Sequence, residues 1–195
     1  MALSQRPYGV SPGPPTGLLA QTLNVPAVQG NVFPSSLVNP VAEAIFANPA
    51  LGAPTALIAA LPNDTNLEQI PLKLYASGVC TVNALTTTVT IGLYGGSSLT
   101  LASDIALKNS GAITPLHLKF PWFLDGSFIY DSQSGLLQGS AAFQLDGQLV
   151  AAAAWTLPIT NVNNDNSPVA TFVLSGKVGA SNPQNLLTVS AFSLG

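Results

Sequence analysis

The stretch Leu136-Leu137-Gln138-Gly139-Ser140-Ala141-Ala142-Phe143-Gln144-Leu145-Asp146-Gly147-Gln148-Leu149-Val150-Ala151-Ala152-Ala153-Ala154-Trp155-Thr156 decides the fold class. Two strand-like runs, 136–145 and 148–156, flank Asp146-Gly147. A two-residue hairpin turn of this kind needs positive φ at both central positions; Asp tolerates it and Gly adopts it freely. The chain therefore reverses within two residues, and the main-chain groups of one run pair with those of the other in antiparallel fashion.

The same period of two extends outward in both directions. Ile70, Leu72 and Leu74 alternate with Pro71, Lys73 and Tyr75, and Val89, Ile91 and Leu93 with Thr88, Thr90, Gly92 and Tyr94. Leu116, Leu118, Phe120, Trp122 and Leu124 alternate with His117, Lys119, Pro121 and Phe123. Further runs occupy 127–131, 169–175 and 186–194. Gly95-Gly96, Asp125-Gly126, Asn163-Asn164-Asp165-Asn166 and Ser181-Asn182-Pro183 read as turns between them. No window is long enough for a helix crossing between parallel strands. The expectation for residues 67–195 is an all-β domain, an antiparallel β-sandwich of the jelly-roll kind with about eight strands.

Residues 1–66 follow different rules and hold ten of the sixteen prolines. Ser11-Pro12-Gly13-Pro14-Pro15-Thr16-Gly17 can be neither helix nor central strand, because Pro lacks the donor and fixes φ. One short helix is expected from Pro40 to Ala47, with Asn39 as N-cap, Pro40 at N1 and Asn48-Pro49 as the stop. The remainder reads as an extended N-terminal arm. Disordered tails are usually charged and poor in apolar residues, whereas this one is neither. Leu18, Leu19, Leu23, Val25, Val32, Phe33, Leu37, Ile45 and Phe46 are its expected partner-binding residues. Ordering some 60 residues costs on the order of 100 kcal/mol in backbone entropy. At about 25 cal/mol per Å² this requires several thousand Å² of apolar burial, so the arm is expected to reach onto other subunits.

Five basic and eight acidic residues give 7 % charged against roughly 25 % in an ordinary domain. A surface of Ser, Thr, Asn and Gln resists aggregation less well than one of Lys and Glu, which suits a chain covered by neighbouring copies. The net charge of −3 and the dispersal of Arg6, Lys73, Lys108, Lys119 and Lys177 exclude a nucleic-acid surface. Cys80 is the only cysteine and reads as a small buried thiol. The uncharged stretch 44–63 is interrupted by Pro49, Gly52, Pro54 and Pro62, which excludes a membrane helix there. The N-terminus lacks the apolar run of a signal peptide.

Chemistry-bearing motifs are sparse. His117 is the only histidine and is placed mid-strand, where a structural role outweighs that of a general base. There is no G-x-S-x-G elbow, no C-x-x-C or H-x-x-x-H spacing, and no phosphate loop around Gly95-Gly96. The polar run 161–166 lacks the acidic positions of a calcium loop. Asp125, Asp131 and Asp146 are the carboxylates available for glycoside hydrolysis, but Asp125 and Asp146 each precede Gly and read as turn residues. Asn63-Asp64-Thr65 matches a glycosylation sequon. No catalytic residue, cofactor or metal ligand is expected, and the protein is read as a non-enzyme. Tyr94, Trp122, Phe123, Tyr130 and Trp155 would suit either a sugar-binding platform or a core.

Tyr75-Ala76-Ser77-Gly78-Val79-Cys80-Thr81, Thr86 through Gly96, Trp122 through Ser132 and Leu136-Leu137-Gln138-Gly139 together resemble the jelly-roll structural proteins that decorate or cement the heads of tailed bacteriophages. The resemblance covers residues 70–194 and carries no catalytic motif. It implies a virion protein at the capsid surface, made in the host cytoplasm. It further implies a homotrimer whose partners are its own copies and adjacent major capsid subunits, which it clamps, with no nucleic acid and no membrane. The alternative is a receptor- or glycan-binding module, fibre-tip or adhesin-like, of a virion or cell surface.

Overall fold

The computed structural model describes residues 22–24, 35–47, 49, 54–61, 72–96, 99–162 and 168–194. Its strands, in chain order, are β1 (Thr22–Asn24), β2 (Ser35–Val38), β3 (Ala44–Ile45), β4 (Ala56–Ala60), β5 (Leu72–Thr81), β6 (Val89–Gly96) and β7 (Ile105–Asn109). They continue with β8 (Lys119–Asp131), β9 (Leu136–Leu145), β10 (Gln148–Pro158), β11 (Asn161–Val162), β12 (Pro168–Val178) and β13 (Leu186–Leu194). Two antiparallel sheets form a sandwich of the jelly-roll kind. One has seven strands in the order β1-β4-β12-β6-β7, with β3 and β11 also on β12; the other has six, in the order β10-β9-β8-β5-β13-β2.

The hairpin read from sequence is present. Leu145 faces Gln148, and Asp146 and Gly147 carry φ of 50° and 75°. In β8 burial alternates along the strand, so Phe120, Trp122, Leu124 and Phe128 point inward while Lys119, Pro121, Phe123, Asp125, Ser127 and Ile129 face outward. The inward residues of both sheets form one core, in which Phe128, Trp155 and Phe172 meet ring to ring at 5.3–6.3 Å. Trp122 is buried and satisfies its indole by donating to Thr188 O at 3.0 Å. That approach passes over Gly78, where a Cβ would stand 1.8 Å from Thr188 O, so only glycine fits beneath the bulge of β13.

Four expectations are corrected. The helix over Pro40–Ala47 is replaced by bends and the two residues of β3, which pair with Ser175 and Gly176 of β12. Helical carbonyls would stay within the segment, but Pro40 O accepts Val178 N at 2.8 Å, and Phe46 N donates to Leu174 O at 3.0 Å. The expected cap residue Asn39 has φ 48° and instead serves a distant loop, accepting from Asn182 N and donating to Ser181 Oγ. Tertiary pairing has overridden local helix signals.

Second, the sandwich begins by Ser35 rather than at residue 67. β2 pairs with β13 and β4 with β12, and Phe46 is fully buried against Trp122, with ring centroids 6.2 Å apart. Of the expected partner-binding residues, Phe46 is therefore core, Leu37 is half-buried against the core, and Ile45 packs on Ala56, Tyr94 and Val173. Leu23 lies in β1, paired with Ile58. Leu18, Leu19, Val25, Val32 and Phe33 lie outside the described residues, as does most of the 1–34 stretch.

Third, Asp125-Gly126 is mid-strand in β8, because Gly126 is an inward position packed close to Ser140 O and Leu74. Gly95-Gly96 likewise ends β6, paired with Phe172 and Thr171. Fourth, His117, with Leu116 and Leu118, precedes β8 rather than lying within a strand, and all three are exposed.

Candidate functional site

The outer face of the six-stranded sheet carries the strongest site. Strand register sets its rows: Ser77, Phe123 and Gln144; then Tyr75, Asp125 and Ala142; then Lys73, Ser127 and Ser140; then Ile129 and Gln138. The two middle rows are built mostly of small side chains, and the outer rows carry Phe123 and Ile129. At about 3.3 Å per residue, Phe123 and Ile129 stand roughly 20 Å apart along β8. Between them lies a cavity of about 340 Å³ lined by Lys73, Asp125, Ser127, Ser140, Ala142 and Ala152 among others. A second of about 320 Å³, sharing Ser127 and Ser140, runs on to Ile129 and Gln138.

Two aromatics project from this face, Tyr75 at 42 % and Phe123 at 38 % exposure. Asp125, directly across from Tyr75, is exposed, and no ion pair joins it to Lys73. Carboxylate, hydroxyl and amide groups in this trough face outward beside apolar ring faces. Such an arrangement suits an uncharged polyol better than a purely apolar ligand.

Of the five aromatics weighed as a platform, Trp122, Trp155 and Tyr94 are buried and Tyr130 packs partly on the core, leaving Phe123. Tyr75 is not among those five aromatics. Its signal lay in the alternating run from Ile70 to Tyr75, where it shares parity with Lys73 on the solvent side.

The remaining titratable residues form structural nodes. Asp146, at the hairpin tip, accepts from the amides of Leu116 and His117, the latter at 2.9 Å, and meets His117 Nδ1 at 2.7 Å. The carboxylate is buried while the imidazole is 71 % exposed. Burial raises the Asp146 carboxyl, but the bonds from His117 and the two amides outweigh it and hold the group below the ordinary carboxylate range. Glu43 Oε1 accepts from Tyr94 Oη at 3.0 Å and from Ser175 Oγ at 2.5 Å, which fastens the β2–β3 connection to β6 and β12. Burial first, then the bond to Glu43, pushes the Tyr94 phenol up to about 12. The Cys80 thiol is buried and raised by that burial, with a lesser push from Asp146.

The three carboxylates weighed for hydrolysis do not converge. Asp125 and Asp131 are six residues apart on β8, roughly 20 Å at strand rise. Asp131 is held in its own turn by Gln133 N and Ser134 Oγ, and Asp146 is committed to the loop before β8. Among the described residues no group of three His, Cys, Asp or Glu gathers, and no helix is long and apolar enough to cross a membrane.

No protein-family model matches the chain, and no curated protein does. Solved structures similar to it include the metal-free lectin I-B4 from Griffonia simplicifolia, 10 % identical over 89 % of this chain and 98 % of that one, with a TM-score of 0.30. An alginate lyase from Pseudomonas aeruginosa is 13 % identical over 82 % of this chain and 81 % of its own, with a TM-score of 0.28. Peanut lectin in complex with a nine-residue peptide is 7 % identical over 89 % and 95 %, with a TM-score of 0.29. Likeness at this level transfers neither binding nor activity.

Proposed function

We propose that this protein is a non-catalytic β-sandwich module that binds carbohydrate across the outer face of its six-stranded sheet. The observation that supports the reading is the pair Tyr75 and Phe123, exposed on one face beside Asp125, with Ser127, Ser140 and Gln138 continuing the same trough. Sugar rings stack their C–H faces on aromatics and donate hydroxyl protons to a carboxylate, so both halves of the recognition are at hand. A glycan array followed by calorimetry tests it. Phe123→Ala, Tyr75→Ala and Asp125→Asn should each weaken the best glycan about tenfold or more, equivalent to about 1.4 kcal/mol, without lowering the melting temperature. A protein that binds no glycan, or that binds equally well in all three variants, overturns the reading.

A second reading is favoured by a separate observation. Leu116 and Leu149 are 65 % and 75 % exposed around the Asp146 turn, joined by Leu118, on a chain with only thirteen charged residues. Such a surface suits a virion structural protein that sits on the capsid as a homotrimer and clamps adjacent major capsid subunits, after synthesis in the host cytoplasm. Co-sedimentation with undecorated capsids tests it: Leu149→Lys with Leu116→Lys should abolish attachment. Glycan binding untouched by these changes, with no capsid attachment by the unaltered chain, leaves the first reading standing alone.

A further inference from the structure

Sheet edges present unpaired main-chain groups, and proteins guard them with short strands, charges, prolines or bulges. Among the described strands, three of the four terminal edges obey that rule. β1 has three residues, β2 has four, and β7 has five and carries Lys108. The fourth, β10, runs eleven residues at the edge of the six-stranded sheet. Its first half is guarded: the register breaks between Val150 and Ala153, and Lys108 Nζ donates to Ala151 O at 2.7 Å. From Ala153 to Leu157 the strand carries no charge, proline or bulge, and among the described residues β7 packs against β10, with Ile105 beside Leu157 and Pro158, but no strand pairs with its free side.

We infer that the free edge of β10 is the pairing surface for a second copy of this chain, joining two six-stranded sheets across a two-fold axis. The argument for a copy rather than a different chain is self-complementarity. A two-fold axis sets a strand against itself, so any charge on it meets a like charge nearby. Residues 147–164 contain none. Facing side chains must also share a parity if the outer face is to continue as an outer face. With the axis at Trp155, exposed Ala154 faces exposed Thr156 of the second copy, and buried Trp155 meets its own counterpart on the core side. The alanines allow the backbones to close to about 4.8 Å without a side chain in the way. Pairing over five or six residues buries less than a standard interface of about 1,600 Å², so the dimer should be a micromolar one.

Sedimentation of the full chain across concentration, combined with hydrogen exchange at residue resolution, tests this. The expected result is a monomer–dimer equilibrium. In the dilute sample alternate amides of 153–157 should exchange fast; in the concentrated sample all of them should be protected. Ala154→Lys should raise the dimer dissociation constant at least about tenfold. If that variant fails to fold, Thr156→Lys and the exchange pattern of the unaltered chain carry the test. A chain that stays monomeric at every soluble concentration overturns the inference in favour of a foreign strand on that edge. An oligomer of any size whose β10 amides still alternate between fast and slow exchange overturns it in favour of another surface. Neither result bears on glycan binding at the Tyr75–Phe123 face.

Discussion

The two outer faces of this sandwich differ in what covers them. On the seven-stranded sheet, Ala56, Tyr94 and Val173 form a row that is buried because Ile45, Leu99 and Leu101 lie over it, and Glu43 pins that cover through Tyr94 and Ser175. Among the described residues the six-stranded sheet has no such cover, and Tyr75, Phe123 and Ile129 stand exposed on it. The difference teaches how the early part of the chain is used. Between its prolines the early segment supplies β2 at a sheet edge and β4 between β1 and β12, while the residues around Glu43 and Ile45 roof the seven-stranded sheet. One face is roofed by the chain's own residues, and the proposed recognition surface is the other.

The comparison can be broken most severely by removing the roof's deepest anchor. Phe46→Ala should cost about 3–5 kcal/mol, the usual penalty for emptying a buried aromatic site, read as a shift in the urea midpoint. A loss below about 1 kcal/mol would mean that residues 35–61 are not integral to the body. Next in size is the hairpin node. Asp146→Ala should cost about 2 kcal/mol, since it leaves the Leu116 and His117 amides without their acceptor. Because the folded carboxyl titrates below its unfolded value, its contribution is complete above about pH 4 and drains away as the pH falls through the lowered value. Urea titrations between pH 2 and 6 should therefore be flatter in Asp146→Asn than in the unaltered chain. Smaller still, Glu43→Gln should cost about 1 kcal/mol by weakening its bonds to Tyr94 and Ser175. Smallest of all, Phe123→Ala on the uncovered face should change stability by no more than about 0.5 kcal/mol. A larger loss there would make that face a structural surface rather than a binding one.

Sheet content was legible because alternation survives in strands with one wet face. β9 and β10 were read nearly to their ends and the Asp146-Gly147 turn to the residue, whereas β8 was divided at Asp125-Gly126. Where strands are buried on both sides, or where glycine sits inside a strand for packing reasons, the signal misleads. Gly126 and Gly95-Gly96 imitated turns for that reason. β7 passed unnoticed because Ile105 and Ala106 are both exposed, which leaves no alternation to see. The helix expected over Pro40–Ala47 satisfied local capping rules, but those rules say nothing of Val178 and Leu174, the distant donor and acceptor for its main chain. The binding face was half legible: Phe123 stood among the aromatics, whereas Tyr75 needed strand register to be placed beside it.

β13 lies between β5 and β2 in its sheet, and β12 between β4 and β6 in the other. These two late strands are thus inserted into the interior of sheets in which three of their four neighbours, β2, β4 and β5, were synthesised more than a hundred residues earlier. Such non-local topology belongs to the slow end of two-state folding, milliseconds to seconds. A nascent chain emerging from the ribosome cannot close either layer until β12 and β13 have appeared, so the half-made sandwich depends on its near absence of charge not becoming an invitation to aggregate.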